Sequence, residues 1–329
     1  MNLKISIIEY AKLSSAHFIF LTALIPVTGA IIMNEKNLFL LTIVFIIGLS
    51  AHIFGFAFNH YNDVKIDGLI HHQTNRPLPS GSISKKQALI FIILVFLLGF
   101  ILTLYFYGLK LLLIYIIGLY LAGIYDTYSK KISGTDFILA GSVTTGVIFG
   151  AATVSFNFTS LVYIFCILAF IQTLNLNLIA GGIKDADHDF KIKSKHISTR
   201  LGVKAENGVI FVPNSFKILA YLFGLIYAFF VLIPVILGVI KLNVILFFIL
   251  IVINVLFFII TYKMLNLKRF NRQEIRKYVV LQYIINWLNI PILIMSITAW
   301  GGLIIMYPIF GLIISNLLLY KTVISPQVM

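Results

Sequence analysis

The chain is poor in almost everything a water-soluble protein uses. Only 11% of its 329 residues are charged and 60% are apolar, whereas a soluble domain is about a quarter charged and about half apolar. A single cysteine, Cys166, excludes an internal disulfide and any thiolate-based zinc site. The seven histidines form no His-Glu-x-x-His pair and no zinc-like spacing, and no GxxxxGK[ST] loop is present. His60, His71, His72, His188 and His196 read as interfacial polar residues, while His17 and His52 fall inside apolar runs as candidates to line a cavity. There is no low-complexity linker, no charge-block tail and no series of alternating strands. These absences argue against a soluble enzyme, a disordered chain and a nucleic-acid-binding domain, despite a net charge of +14.

What is present is apolar length. Mean hydropathy is +1.03. Crossing a bilayer core of roughly 30 Å takes about 20 apolar residues. Ten such runs are read, at 14–33, 38–58, 88–107, 110–125, 135–154, 159–181, 216–239, 243–264, 278–298 and 302–320. The last two divide at Trp300-Gly301-Gly302. The first follows Lys4 and Lys12, lacks a clear small-x-small cleavage site and reads as a retained anchor. Lipid cannot satisfy open backbone groups, so helices are the default. The expected fold is all-α: a polytopic membrane helical bundle of nine to ten transmembrane helices around a central cavity. It forms one domain over residues 1–329, with 302–320 as an additional C-terminal span.

Charge then orients the bundle. With the N-terminus inside, the inner segments carry 22 of the 25 Lys and Arg residues, and the outer ones only Lys36, Lys110 and Lys241. That split places the N-terminus and the long loops on the cytoplasmic side. It makes the positive charge a topology signal, reinforced by anionic lipid, rather than the footprint of a nucleic acid.

Six of the eleven acidic residues fall in the two longest inner loops, 59–87 and 182–215. In the first, Asn59, Asp63 and Asp67 recur every four residues, so a helix continued past residue 58 sets all three on one face. In the second, Asp185 and Asp189 repeat that spacing, with Asp187 directed elsewhere. Two carboxylates at the inner end of an apolar helix suit a hard cation such as Mg2+, which shares its shell with water and phosphate oxygens. Asp63 to Asp185 and Asp67 to Asp189 are each 122 residues, with an even number of spans between, so both motifs emerge on one side of the membrane. Carboxylates at a membrane edge are expensive and usually functional. After the first motif, Asn75-Arg76-Pro77-Leu78-Pro79-Ser80-Gly81 takes a tight non-helical course, and Arg76 can fork onto a phosphate. Lys191, Lys193, Lys195 and Arg200 follow the second, and a third inner loop carries Tyr125-Asp126-Thr127-Tyr128-Ser129-Lys130-Lys131.

These residues resemble the UbiA superfamily of intramembrane prenyltransferases. Asn59, Asp63 and Asp67 look like its N-D-x-x-D-x-x-x-D motif, and Asn75 to Gly81 is similar to its R-P-L-x-S-G tail. Asp185 to Asp189 with Lys191, Lys195 and Gly202 matches its second D-x-x-x-D segment, and Tyr128-Ser129 with Lys131 its Y-S…K element. The likeness covers roughly residues 1–300. It departs at His60, where the family has Asp, and at Leu13 to His17, where the family often has Arg-Pro. The family usually has nine spans.

The resemblance implies Mg2+-dependent transfer of a prenyl group from an allylic diphosphate to a lipophilic acceptor, a quinone precursor or an isoprenoid or glycerol lipid, with release of diphosphate. Asp63, Asp67, Asp185 and Asp189 would be the metal ligands and catalytic residues together with Tyr128. Asn59, Arg76, Lys131 and Lys195 would bind diphosphate, and membrane lipid would surround the whole. The alternative from another class is a transporter or lipid carrier, which also places polar motifs at helix ends.

Overall fold

The computed structural model describes residues 3–68, 74 and 76–322. His71, His72 and Asn75 lie outside them. In chain order the helices are α1 (Leu3–Leu13), α2 (Ile19–Thr22), α3 (Leu24–Ile32), α4 (Leu38–Asp67), α5 (Lys85–Tyr128), α6 (Thr135–Ala152) and α7 (Ser160–Thr173). A π-helical segment, Leu174–Gly181, leads into α8 (Gly182–Lys184), α9 (Ala186–Lys191) and α10 (Ile197–Arg200). A small hairpin of β1 (Lys204–Glu206) and β2 (Val209–Phe211) precedes α11 (Asn214–Ile236), α12 (Val244–Leu265), α13 (Arg272–Met295) and α14 (Ala299–Tyr320). Among the described residues eight helices are long and apolar enough to cross a membrane, or nine when a bent pair counts as one span. The all-α, multi-pass reading therefore holds.

The chain packs as two compact units, the described parts of Met1–Thr127, Thr145–Phe158 and Tyr307–Met329, and Tyr128–Thr144 with Thr159–Met306. Among the described residues, the first holds the one span that is too long. Straight, the 44 residues of α5 would extend roughly 66 Å, twice a bilayer core. Gly108 breaks it, with φ 77° and ψ −173°, a conformation that side chains exclude. The chain doubles back there. The rings of Phe96 and Tyr115 stand 6.5 Å apart, where a straight helix would separate them by roughly 28 Å. Each arm corresponds to one of the runs read at 88–107 and 110–125. Leu111, Leu112, Tyr115 and Leu119 of the second arm pack with Ile43 and Ile47 of α4 into one buried cluster, and Ser50 bonds the Tyr115 hydroxyl at 3.1 Å.

The run read at 14–33 starts at a bend of 65° between Ile7–Leu13 and Ala16–Ile32. Ser15 turns the corner at φ 46°. His17 and His52 are buried there. His52 contacts the Ser14 carbonyl oxygen at 2.8 Å and the Thr22 hydroxyl, and the His17 ring packs on Phe18 and Tyr320. His52 thus ties the two sides of the bend together.

In the second unit α13 is the most enclosed span, with 61% of its apolar window buried. Two of its polar side chains, Gln282 and Asn289, bond to α12, as polar side chains in a membrane interior do between helices. Gln282 donates to Thr261 at 2.7 Å, Asn254 donates to Asn289 at 3.1 Å, and the Tyr227 hydroxyl donates to the Asn286 carbonyl at 2.8 Å. The expected division at Trp300-Gly301-Gly302 falls instead at 296–298. The Thr298 hydroxyl accepts from the Gly301 amide at 3.0 Å and caps α14, drawing Trp300 and both glycines into its first turn.

Candidate active site

The first acidic motif sits on the last turns of α4, which runs as one helix to Asp67. Asn59, Asp63 and Asp67 therefore share a face. The Asn59 amide donates to the Asp126 carboxylate at 3.1 Å. Asp126, at the end of α5, is buried, and its Oδ2 has no hydrogen-bond partner among the described residues. With its amide committed, Asn59 keeps its carbonyl oxygen for a ligand. Asp67 is only 2% exposed and is paired with Arg76 at 2.8 Å.

Arg76 is held in place by its own loop. The Ile83 and Ser80 amides donate back to the Pro77 and Arg76 carbonyls at 3.1 and 3.0 Å. Gly81 turns at φ 76°. Leu78 and Ile83 bury themselves against Leu13 and Ala57. Ser82 donates to Glu9 of α1 at 2.8 Å. His60, the departure from the family pattern, has a buried Nδ1 without a partner among the described residues.

The second motif follows the π-helical segment. Asp185 joins α8 to α9, and Asp189 follows one turn later, its amide bonded to the Asp185 carbonyl at 2.8 Å. Asp189 is buried, with the His188 ring nitrogen 3.7 Å from its carboxylate. Lys184 lies 3.5 Å from one oxygen of Asp185, and Arg272 lies 3.5 Å from the other. Arg272 also pairs with Asp187. Deeper in the same unit, buried Asp136 accepts from Asn177 of the π-helical segment at 2.9 Å and lies within electrostatic reach of Asp189.

Tyr128 and Lys131 stand together, the ammonium 5.8 Å from the ring centroid. The Lys195 amide donates to the Lys130 carbonyl at 3.1 Å, joining the tail of the second motif to that loop. Each unit thus assembles carboxylates with cations beside them. Arg272, Asp126 and Asp136 belong to these clusters and were not singled out from the sequence. Asp126 had a signal, as one of few acids in an apolar chain, whereas Arg272 sits in no motif.

No three His, Cys, Asp or Glu side chains among the described residues are gathered tightly enough to enclose an ion. A cation that keeps water and phosphate oxygens needs no such cage. The donor chemistry fits Mg2+: paired carboxylates one turn apart in each motif, and an uncommitted carbonyl oxygen on Asn59.

Comparison with known proteins agrees. The sequence model of the UbiA prenyltransferase family matches residues 23–290. A 4-hydroxybenzoate octaprenyltransferase of Marinomonas sp. is 43% identical over 86 residues, 26% of this chain and 30% of that protein. A digeranylgeranylglyceryl phosphate synthase of Saccharolobus solfataricus is 32% identical over 208 residues, 60% of this chain and 70% of that one. A solved UbiA homolog from Archaeoglobus fulgidus, bound to GPP and Mg2+, aligns with a TM-score of 0.64 over 88% of this chain and 99% of its own, at 15% identity, which establishes a shared fold.

Proposed function

The chain belongs to the UbiA prenyltransferase family, and from that premise we propose that it transfers a prenyl group from an allylic prenyl diphosphate to a lipophilic acceptor, with Mg2+ as cofactor. The observation that supports the site assignment is the pairing of buried Asp67 with Arg76 at the end of α4, which sets a carboxylate beside a guanidinium of the kind that pairs with phosphate. Asp63, Asp67, Asp185 and Asp189 would hold the metal, and the whole chain would work as one catalytic domain. Bound there, Mg2+ supplies charge neutralisation to the departing diphosphate.

The remaining chemistry falls to the chain's own groups. Arg76, Lys131 and Lys195 bind diphosphate oxygens, and the Asn59 oxygen orients the ligand. The allylic C–O bond breaks with its electron pair leaving on diphosphate. A nucleophilic atom of the acceptor bonds to the same carbon and then loses its proton. Tyr128, with its ring beside Lys131, holds the diphosphate end of the substrate. Apolar helix surfaces keep water from the electron-poor carbon.

For the acceptor we favour a prenylated glycerol phosphate. The support is the long alignment with the glyceryl phosphate synthase, 60% of this chain. A quinone-precursor acid is the second reading, favoured by the shorter but closer octaprenyltransferase match. The active-site loops are assigned to the cytoplasmic side on the distribution of Lys and Arg. The test is pyrophosphate release by the purified protein with geranylgeranyl diphosphate, Mg2+ and each acceptor in turn, with the product identified by mass spectrometry. Release with an acceptor supports transfer. Flux of the diphosphate across vesicles without release would make it a carrier.

A further inference from the structure

The second acidic motif is guarded by a cation from a distant part of the same unit. Arg272 is the first residue of α13, 85 residues beyond Asp187. A chain of backbone contacts aims it. The Asn207-Gly208 turn of the β1–β2 hairpin, both residues at positive φ, accepts the Phe270 amide on the Gly208 carbonyl at 2.8 Å, and Ile210 bonds Lys268 at 3.3 Å. Val209 bridges to Arg269. The Asn271 side chain then caps α13 by accepting from the Gln273 and Glu274 amides. The Arg272 guanidinium rests 5.6 Å over the Phe270 ring and forks across Asp185 and Asp187. With Lys184 on the other side, both oxygens of Asp185 face a cation.

Two cations on one carboxylate oppose a bare divalent ion there. A diphosphate reverses the balance, because a guanidinium pairs with phosphate oxygens as readily as with a carboxylate. We propose that Arg272 is a positioning residue that withholds Asp185 from free Mg2+ and releases it when diphosphate arrives, so that metal and prenyl diphosphate are taken up together. This rests on the reading of Asp185 as a metal ligand. Asp187 has a defined part: it draws Arg272 partly away from Asp185.

The test uses the full chain in detergent, with two readouts besides turnover: Mg2+ affinity by calorimetry without diphosphate, and binding of radiolabelled geranyl diphosphate at saturating Mg2+. Arg272→Gln is expected to bind free Mg2+ about tenfold more tightly and geranyl diphosphate about tenfold more weakly. Asp187→Asn, which leaves Arg272 to Asp185 alone, is expected to weaken free Mg2+ binding. A merely structural ion pair lowers thermal stability and moves neither affinity in opposite directions. Unchanged or weakened Mg2+ affinity in folded Arg272→Gln overturns the proposal. If that variant does not fold, unchanged or tightened Mg2+ affinity in Asp187→Asn overturns it. Should the wild-type chain bind no geranyl diphosphate with Mg2+, the catalytic reading falls together with the inference; normal wild-type binding with unaltered variants removes the inference alone.

Discussion

The two acidic motifs repeat one chemical arrangement, two carboxylates four residues apart with an arginine on one member, and build it by different means. The first is local. Asp67 and Arg76 are nine residues apart, and the turn between Arg76 and Ile83 keeps the guanidinium in place. The second is assembled by tertiary structure, since Arg272 reaches Asp185 and Asp187 through a hairpin and a loop. The burial differs as well. Asp67 is 2% exposed, whereas the Asp185 side chain is 36% exposed. Exchanging the partner of a buried carboxylate costs more than exchanging that of a more open one.

The strongest way to break the comparison is to remove one carboxylate from each motif. Asp63→Asn and Asp189→Asn should each cut pyrophosphate release by about a thousandfold or more, with the helices still folded by circular dichroism. If only one of them does so, the motifs are not functional equals. Arg76→Ala should lower kcat/KM for the prenyl diphosphate by about a hundredfold, and Arg76→Lys should recover part of that loss.

Stability sharpens the contrast further. Asn59→Leu and Asn177→Leu each strip a hydrogen bond from a buried carboxylate, Asp126 and Asp136. Each should cost about 2 kcal/mol, read as a lower melting temperature in detergent. The smallest effects belong to the glycines that close the two motif loops. Gly81 and Gly202 both have positive φ. Gly81 has open space around it, so Gly81→Ala should cost about 1 kcal/mol of backbone strain alone. Gly202→Ala should cost more, because the added carbon would lie 3.2 Å from Pro213.

Much of this was legible from residue order alone. The four-residue spacing of Asn59, Asp63 and Asp67 carried the helix past the apolar run, and the division between the runs at 88–107 and 110–125 separated two arms that the structure folds back on each other. Local geometry and hydropathy decide such features. What escaped notice depends on contacts between residues far apart. Arg272 lies amid ordinary inner-side cations and acquires its partners only through the hairpin. Asp126 reads as a loop charge and Asp136 as a charge at the start of a span until burial and an asparagine donor are seen. The break at 296–298 was missed because glycines draw the eye, whereas the Thr298 hydroxyl decides where α14 begins.

The π-helical stretch at Leu174–Gly181 also sets the phase of the helix as far as Lys184, next to Asp185. Each residue turns an α-helix by about 100°, and a π-helical segment absorbs an extra residue without breaking the rod. The rod runs on to Lys184, so the winding of this stretch sets the point from which Asp185 leaves it. Shortening that stretch by one residue would leave every side chain of the second motif intact in sequence and swing the set off its bearing, a loss that no point substitution within the motif would reproduce.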